Sequence, residues 1–289
     1  MSRGRRLVGA LALAGVALSA AGPLSAQSRS AAADRTVALP SGKLGIRIRN
    51  GTLRVIAAER RDVLIHTERD SSRGSGLGIA VSSSGQSGRT TIDARNRGRA
   101  DYRITVPIGT EVDISAEDAE VEIRGAVSAS SAAVQNGSVT MDGARGPLAA
   151  AIGTGSVTIR NSGGPVSASA MNGDITLSHV TGGAIANNSD GSIHLDDVLG
   201  SSVQAMSIGG DVLYEGKVQD GGTYFLRSHT GRVRVGAAPG SNATVNWKSV
   251  KADTRGHRSG SETLGRGSAT ITIETFSGEI EIVGDGAPR

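Results

Sequence analysis

The sequence predicts an all-β chain wound as a parallel β-solenoid, β-helix-like, with 18-residue rungs of two strands each. Three observations carry this. An apolar, polar, apolar triplet returns every 18 residues as Val121-Glu122-Ile123, Val139-Thr140-Met141, Val157-Thr158-Ile159, Ile175-Thr176-Leu177 and Ile193-His194-Leu195. That alternation is the period-2 mark of a strand with one buried face. Turn signals recur in phase before each triplet, as Asn136-Gly137, Thr154-Gly155, Asn172-Gly173 and Asp190-Gly191. The 42 glycines follow no collagen period, so an internal repeat accounts for them best.

Taken in order, residues 1–26 carry three arginines, an apolar run and then small residues, the order of a secretory signal peptide. Residues 27–35 read as a disordered linker. Residues 36–116 read as an amino-terminal strand segment capping the solenoid. Within it, Asn50-Gly51 marks a hairpin or rung corner, and residues 70–100 form a loop rich in Ser, Gly and Arg around a weak strand.

Residues 117–236 are the regular solenoid. A second strand precedes each triplet there, and its members supply a small-residue column, Ala132, Ala150, Ala168, Ala186 and Ala205. The column predicts a place where opposite walls come close. A lone rung cannot bury its apolar side, whereas rungs stacked about 4.8 Å apart share one core. Residues 237–268 break the period and read as an insertion loop. Residues 269–289 restore it through Ser277-Gly278-Glu279-Ile280-Glu281-Ile282, as final strands or a carboxy-terminal cap.

The phrase N-G-[SD]-[VI]-T-[ILM], with a Gly-Val-small strand between copies and the step Val106-Pro107-Ile108-Gly109 before the array, resembles a bacterial exported β-strand-repeat family labelled as an adhesin domain of unknown function. The resemblance spans about residues 36–284. It implies a β-solenoid-like envelope protein with adhesion as its suggested role, and it brings no catalytic residues. The insertion at 237–268 departs from the family pattern.

Composition narrows the function classes. The leader's three arginines account for most of the formal charge of +4, leaving 28 basic against 27 acidic residues. That balance argues against a nucleic-acid partner, as does the scarcity of aromatics, one Trp, three Tyr and two Phe. The absence of cysteine excludes disulfides, thiolate metal sites and a cysteine nucleophile. After the leader no stretch is apolar for long enough to cross a membrane as a helix.

Two candidate sites follow from residue type. In a stacked coil, Ser178, His179, Asp196 and Asp197 fall on one edge, where a hydrolase or metal site would need such groups. The plainer reading is a solvated turn edge with alternating charges. The second candidate is a cationic ligand-binding loop around the single tryptophan: Trp247, Lys248, Lys251, Arg255, His257, Arg258 and Arg266. The outward Thr140, Thr158 and Thr176, continued by His194, read as ordinary strand surface. The five histidines show no metal-ligand spacing, and no catalytic residue, cofactor or metal is assigned.

The sequence therefore predicts an exported, non-enzymatic, adhesin-like scaffold, in the periplasm, at the outer surface or in the medium, that binds an envelope polysaccharide, peptidoglycan or another surface protein. The alternative from a different class is a polysaccharide lyase or hydrolase on a parallel β-helix. That class needs convergent acids or a strong base in a cleft.

Overall fold

The computed structural model describes residues 31–69, 79–83, 89–94, 99–250 and 259–284, and no helix occurs among them. The chain opens with β1 (Ala31–Ala38), β2 (Lys43–Ala58), β3 (Asp62–Arg69), β4 (Ala80–Ser83), β5 (Thr90–Ala94) and β6 (Ala100–Pro107). Three long strands follow, β7 (Glu111–Arg124), β8 (Ala129–Asp142) and β9 (Leu148–Ser162). Each is a whole rung bent at one corner. From there a rung is two strands: β10 (Val166–Asn172) with β11 (Ile175–Val180), β12 (Ala184–Asp190) with β13 (Ile193–Val198), β14 (Ser202–Ser207) with β15 (Val212–Gly216), and β16 (Thr223–Ser228) with β17 (Val233–Ala237). The chain closes with β18 (Ala243–Ser249), β19 (Ser259–Leu264), β20 (Ala269–Thr275) and β21 (Ile280–Val283).

Rungs stack in parallel, so each has a first arm in one wall and a second arm in the other. The triplets stand in register, Val139 on Val157, then Ile175, Ile193, Val212, Val233 and Ile280. The alanines of the first arms do likewise, Ala132 on Ala150, Ala168, Ala186 and Ala205, and all five are buried. Toward the ends this inner column widens, to Ile114 and Ile46 on one side and to Leu226, Ile273 and Trp247 on the other. Small residues in the middle let the walls approach, and larger ones fill the ends.

The corner between arms is set by glycine. Gly137, Gly155, Gly173 and Gly191 have φ between 129° and 133°, a region closed to side chains. A Cβ at any of them would fall 1.7 to 2.2 Å from the carbonyl oxygen of the residue one rung below. Asn50-Gly51 is the same corner inside β2, where Gly51 has φ 128°, so it turns a rung and not a hairpin.

Both ends are built by skipping a place and returning to fill it. At the amino end β2 pairs with β7 on one side and with β5 and β6 on the other, so β5 and β6 together form the first rung. Antiparallel strands then cover it, β3 on β6, β1 on β3 and β4 on β5. At the carboxy end β18 lies beyond β20, which fills the space against β16, and β19 closes that wall antiparallel to β18.

Three segment expectations are corrected here. Residues 31–35 of the expected disordered linker belong to β1, paired with β3. The expected 70–100 loop contributes β4, β5 and the start of β6 to the sheets. The expected 237–268 loop holds β18 and β19. In each case the pairing lies outside the 18-residue repeat, so the rung period does not place the strand.

Candidate functional site

The two walls present different outer faces. Outward positions of the second arms carry charge along much of the stack, among them Glu122, Asp142, Arg160, Asp174, Asp196 and Glu215. In the first wall the outward positions of β8, β9, β10, β12 and β14 carry none. Register gives that face two columns directly: Ser131, Ala149, Ser167, Ile185, Gln204 and Phe225, and beside it Ala133, Ala151, Ser169, Asn187, Met206 and Arg227. A third column at the corner edge runs Gln135, Gly153, Met171, Ser189, Ile208 and His229. Met171, Ile208 and Ile185 are 63%, 59% and 45% exposed. Large apolar side chains gathered on one open sheet face mark a contact surface.

The face is ribbed. A groove of about 530 Å³ runs along the first column over Ser131, Ala149, Ser167 and Ile185. A second of about 650 Å³ lies around Met171, Met206, Ile208 and His229. The His229 ring stacks on Phe276, centroids 4.6 Å apart and planes 15° apart. At the end of the first groove Arg89 reaches across Gly45 to Asp113, Nη1 to Oδ2 2.7 Å. Ser131 donates to the other oxygen of Asp113, so this carboxylate is engaged on both sides and offers no free base.

The structure places the predicted edge residues on adjacent rungs, Ser178 in register with Asp196 and His179 beside Asp197. No hydrogen bond or ion pair joins the four. Their chemistry has a backbone cause. The turn column is left-handed, Gly125 and Gly143 at φ 94° and 80°, Asn161, His179 and Asp197 at 52° to 53°. Asn, Asp and His are the non-glycine residues that enter this region most readily. Ser178 is buried, and among the described residues no group of three His, Asp or Glu could hold a metal ion.

The predicted cationic loop resolves differently. Trp247 follows Ile273 in the inner column and packs against the core, with Gly260 leaving room for its ring. It is an end plug for the solenoid. Lys248 stands on the charge-poor wall beyond Glu274 and Arg227. Arg266 sits in the turn before β20, its backbone N–H donating to Asn242 Oδ1 at 2.9 Å. Ser268 of that turn and Asn242, just before β18, donate to Asp220 and hold its exposed carboxyl below the usual range. Lys251, Arg255, His257 and Arg258 lie outside the described residues. The threonines form the expected ladder, Thr140 on Thr158 on Thr176, continued by His194.

The charge-free face was missed by reading for chemistry-bearing residues. Its signal was present as the absence of Asp, Glu, Lys and Arg from outward first-arm positions once the rung period is laid down.

The family model described as Toastrack DUF4097 matches residues 38–283. No curated protein matches the chain. Among solved structures it is similar to "a putative cell adhesion protein from Clostridium sporogenes ATCC 15579", with 10% identity and a TM-score of 0.33, over 89% of this chain and 100% of that one.

Proposed function

Because the chain belongs to the Toastrack DUF4097 family, we propose that it is an exported, non-enzymatic, adhesin-like scaffold that docks an envelope component or polysaccharide on the outer face of its first wall. One observation carries the reading: five successive rungs leave that face without charge while exposing Met171, Ile185 and Ile208. A rigid ladder with an uncharged, ribbed surface suits extended contact. The hydroxyls of Ser131, Ser167 and Ser169 add hydrogen-bonding groups along it. The leader-like residues 1–26 support export to the periplasm, the outer surface or the medium.

The test is co-sedimentation of the exported chain with the cell's own envelope polysaccharide and peptidoglycan. Met171→Asp and Ile208→Asp change exposed positions and should lower retention at least tenfold. Thr158→Asp, on the opposite wall, should leave it intact. Equal retention of all variants, or release of soluble sugar fragments, would overturn the proposal.

A further inference from the structure

We infer that the second groove of the first wall holds the acyl chain of a single-chain lipid whose anionic head lies at Arg227 and Lys248. The inference rests on the docking reading above for the contact face and names the occupant. The sides of the groove are aliphatic, formed by Met171, Met206 and Ile208. The short side chains of Ser169 and Ser189 lie between them and leave it open. Its volume of about 650 Å³ falls in the range of small-ligand pockets. Methionine is unbranched and polarizable, so it moulds to a flexible apolar guest. Sugar rings stack on flat aromatic side chains, and His229 is the one ring in this lining.

The length of the groove fits one acyl chain. From Met171 to His229 it crosses three rung spacings, about 14 Å. Half of a bilayer's hydrocarbon core, the depth that one chain fills, is about 15 Å. An extended carbon chain advances about 1.25 Å per bond at ordinary C–C length and angle, so about 12 carbons fill the groove.

Charge stands at one end. Arg227 is the one Lys, Arg, Asp or Glu in the lining. A smaller hollow of about 200 Å³ shares Arg227 and His229 with the groove and continues to Lys248 and Val250. Glu274 lies between the two bases in register and stands 4.0 Å from Arg227. Among the described residues no carboxylate comes within ion-pair distance of Lys248. The three side chains together leave one net positive charge. A guest that is apolar along the groove and negative at this end matches both features, and neither an uncharged polymer nor a cation does.

The test is isothermal titration of the chain with octyl, decyl, dodecyl and tetradecyl phosphate, each below its micelle-forming concentration. A methylene buried on one side tightens binding roughly twofold, half of the full transfer effect. Affinity should therefore rise about fourfold from octyl to decyl, about fourfold again to dodecyl, and level off at tetradecyl. Dodecyl trimethylammonium, with the opposite head charge, should bind about tenfold more weakly. Arg227→Gln with Lys248→Gln should abolish that difference and keep the dependence on length. Met171→Asp, or Ser189→Phe, which puts a ring over the hollow, should weaken dodecyl phosphate by about tenfold or more. Ile185→Asp, in the first groove, should leave it unchanged.

Binding that ignores chain length or head charge, or that survives both Met171→Asp and Ser189→Phe, would overturn the assignment. So would a failure of every alkyl phosphate to bind; if Met171→Asp still lowers retention on the envelope polymers, the docking reading then stands without the lipid. Length-dependent binding as expected, with polymer retention unchanged in Met171→Asp, leaves the lipid site standing and the polymer reading fallen.

Discussion

Replacing Gly173 by alanine tests the account of the rung corner. Gly173 has φ 132°, and its new Cβ would lie 1.7 Å from the carbonyl oxygen of Gly155, 2.7 Å from that carbonyl carbon. Backbone held in that region costs about 1–3 kcal/mol for a residue with a side chain. The overlap is with backbone, so the strands must separate, straining the ladder bond in which Gly173 N–H donates to Asp190 O at 2.8 Å. A lost buried backbone hydrogen bond costs about 1 kcal/mol, and the stiffer unfolded chain returns about 0.4–1 kcal/mol. The expected net loss is about 2 kcal/mol, or a Tm lower by about 4–8 °C for a chain of this size. Gly163→Ala is the control: its Cβ would meet nothing closer than 3.8 Å, and its φ lies outside the left-handed range, so it should stay within about 0.5 kcal/mol of the parent. Thermal melts followed by circular dichroism, with urea titration at 25 °C, read both. A Gly173→Ala melt that coincides with that of Gly163→Ala would refute the corner argument.

Two further outcomes are expected. The Tyr214 hydroxyl donates to Lys217 O at 2.8 Å, and burial, then the neighbouring Tyr224, pushes its phenol above the ordinary value of 10.0. A group whose folded pKa is raised stabilises below its unfolded pKa and loses that contribution as pH climbs; melts should therefore fall above about pH 10, and less steeply in Tyr214→Phe, which gives up about 1 kcal/mol at neutral pH. Identical slopes above pH 10 would contradict this. Reversing Arg232 and Arg234 to Glu opposes them to Glu279 and Glu281, now 3.4 and 3.9 Å away, and should cost about 0.5–2 kcal/mol for the two exposed pairs, less at high salt. Adding Glu279→Arg and Glu281→Arg should restore the melt, and a fourfold variant no better than the double one would show that the pairs do not fix β21.

The middle of the fold is legible in the sequence because each rung repeats its own instructions: an alternating triplet, a corner glycine and a small inward residue. The ends are not. β18 has the alternation of a strand, but its place beyond β20 depends on a segment that has not yet emerged when β18 is made. Nothing within seven residues of Trp247 reveals that Ile273 lies beneath it, so the tryptophan reads as a ligand contact when it closes the core. The edge residues mislead for another reason. His179 and Asp197 bear reactive groups, yet their shared property is a left-handed backbone, which residue type alone does not display.

The distribution of ion pairs explains how a charge-free face is tolerated. Among the described residues, the Lys or Arg to Asp or Glu pairs between rungs join β2 with β7, the start of β5 with β7, β16 with β20 and β17 with β21. These are the places where the chain leaves the stack and returns. A strand arriving after a long excursion can pair one or two residues out of register, and a slip by one would turn its apolar side to water. Opposite charges across the ladder penalise such slips. Between β7 and β17 each rung is tied to the next by a coil of nearly constant length, so the turn itself fixes register and side-chain charges have no such task. The outward positions of the central first arms are thereby released from specifying the fold. Their small and apolar residues can be explained by what they contact, which puts the proposed docking surface in the middle of the solenoid and the ion pairs at its ends.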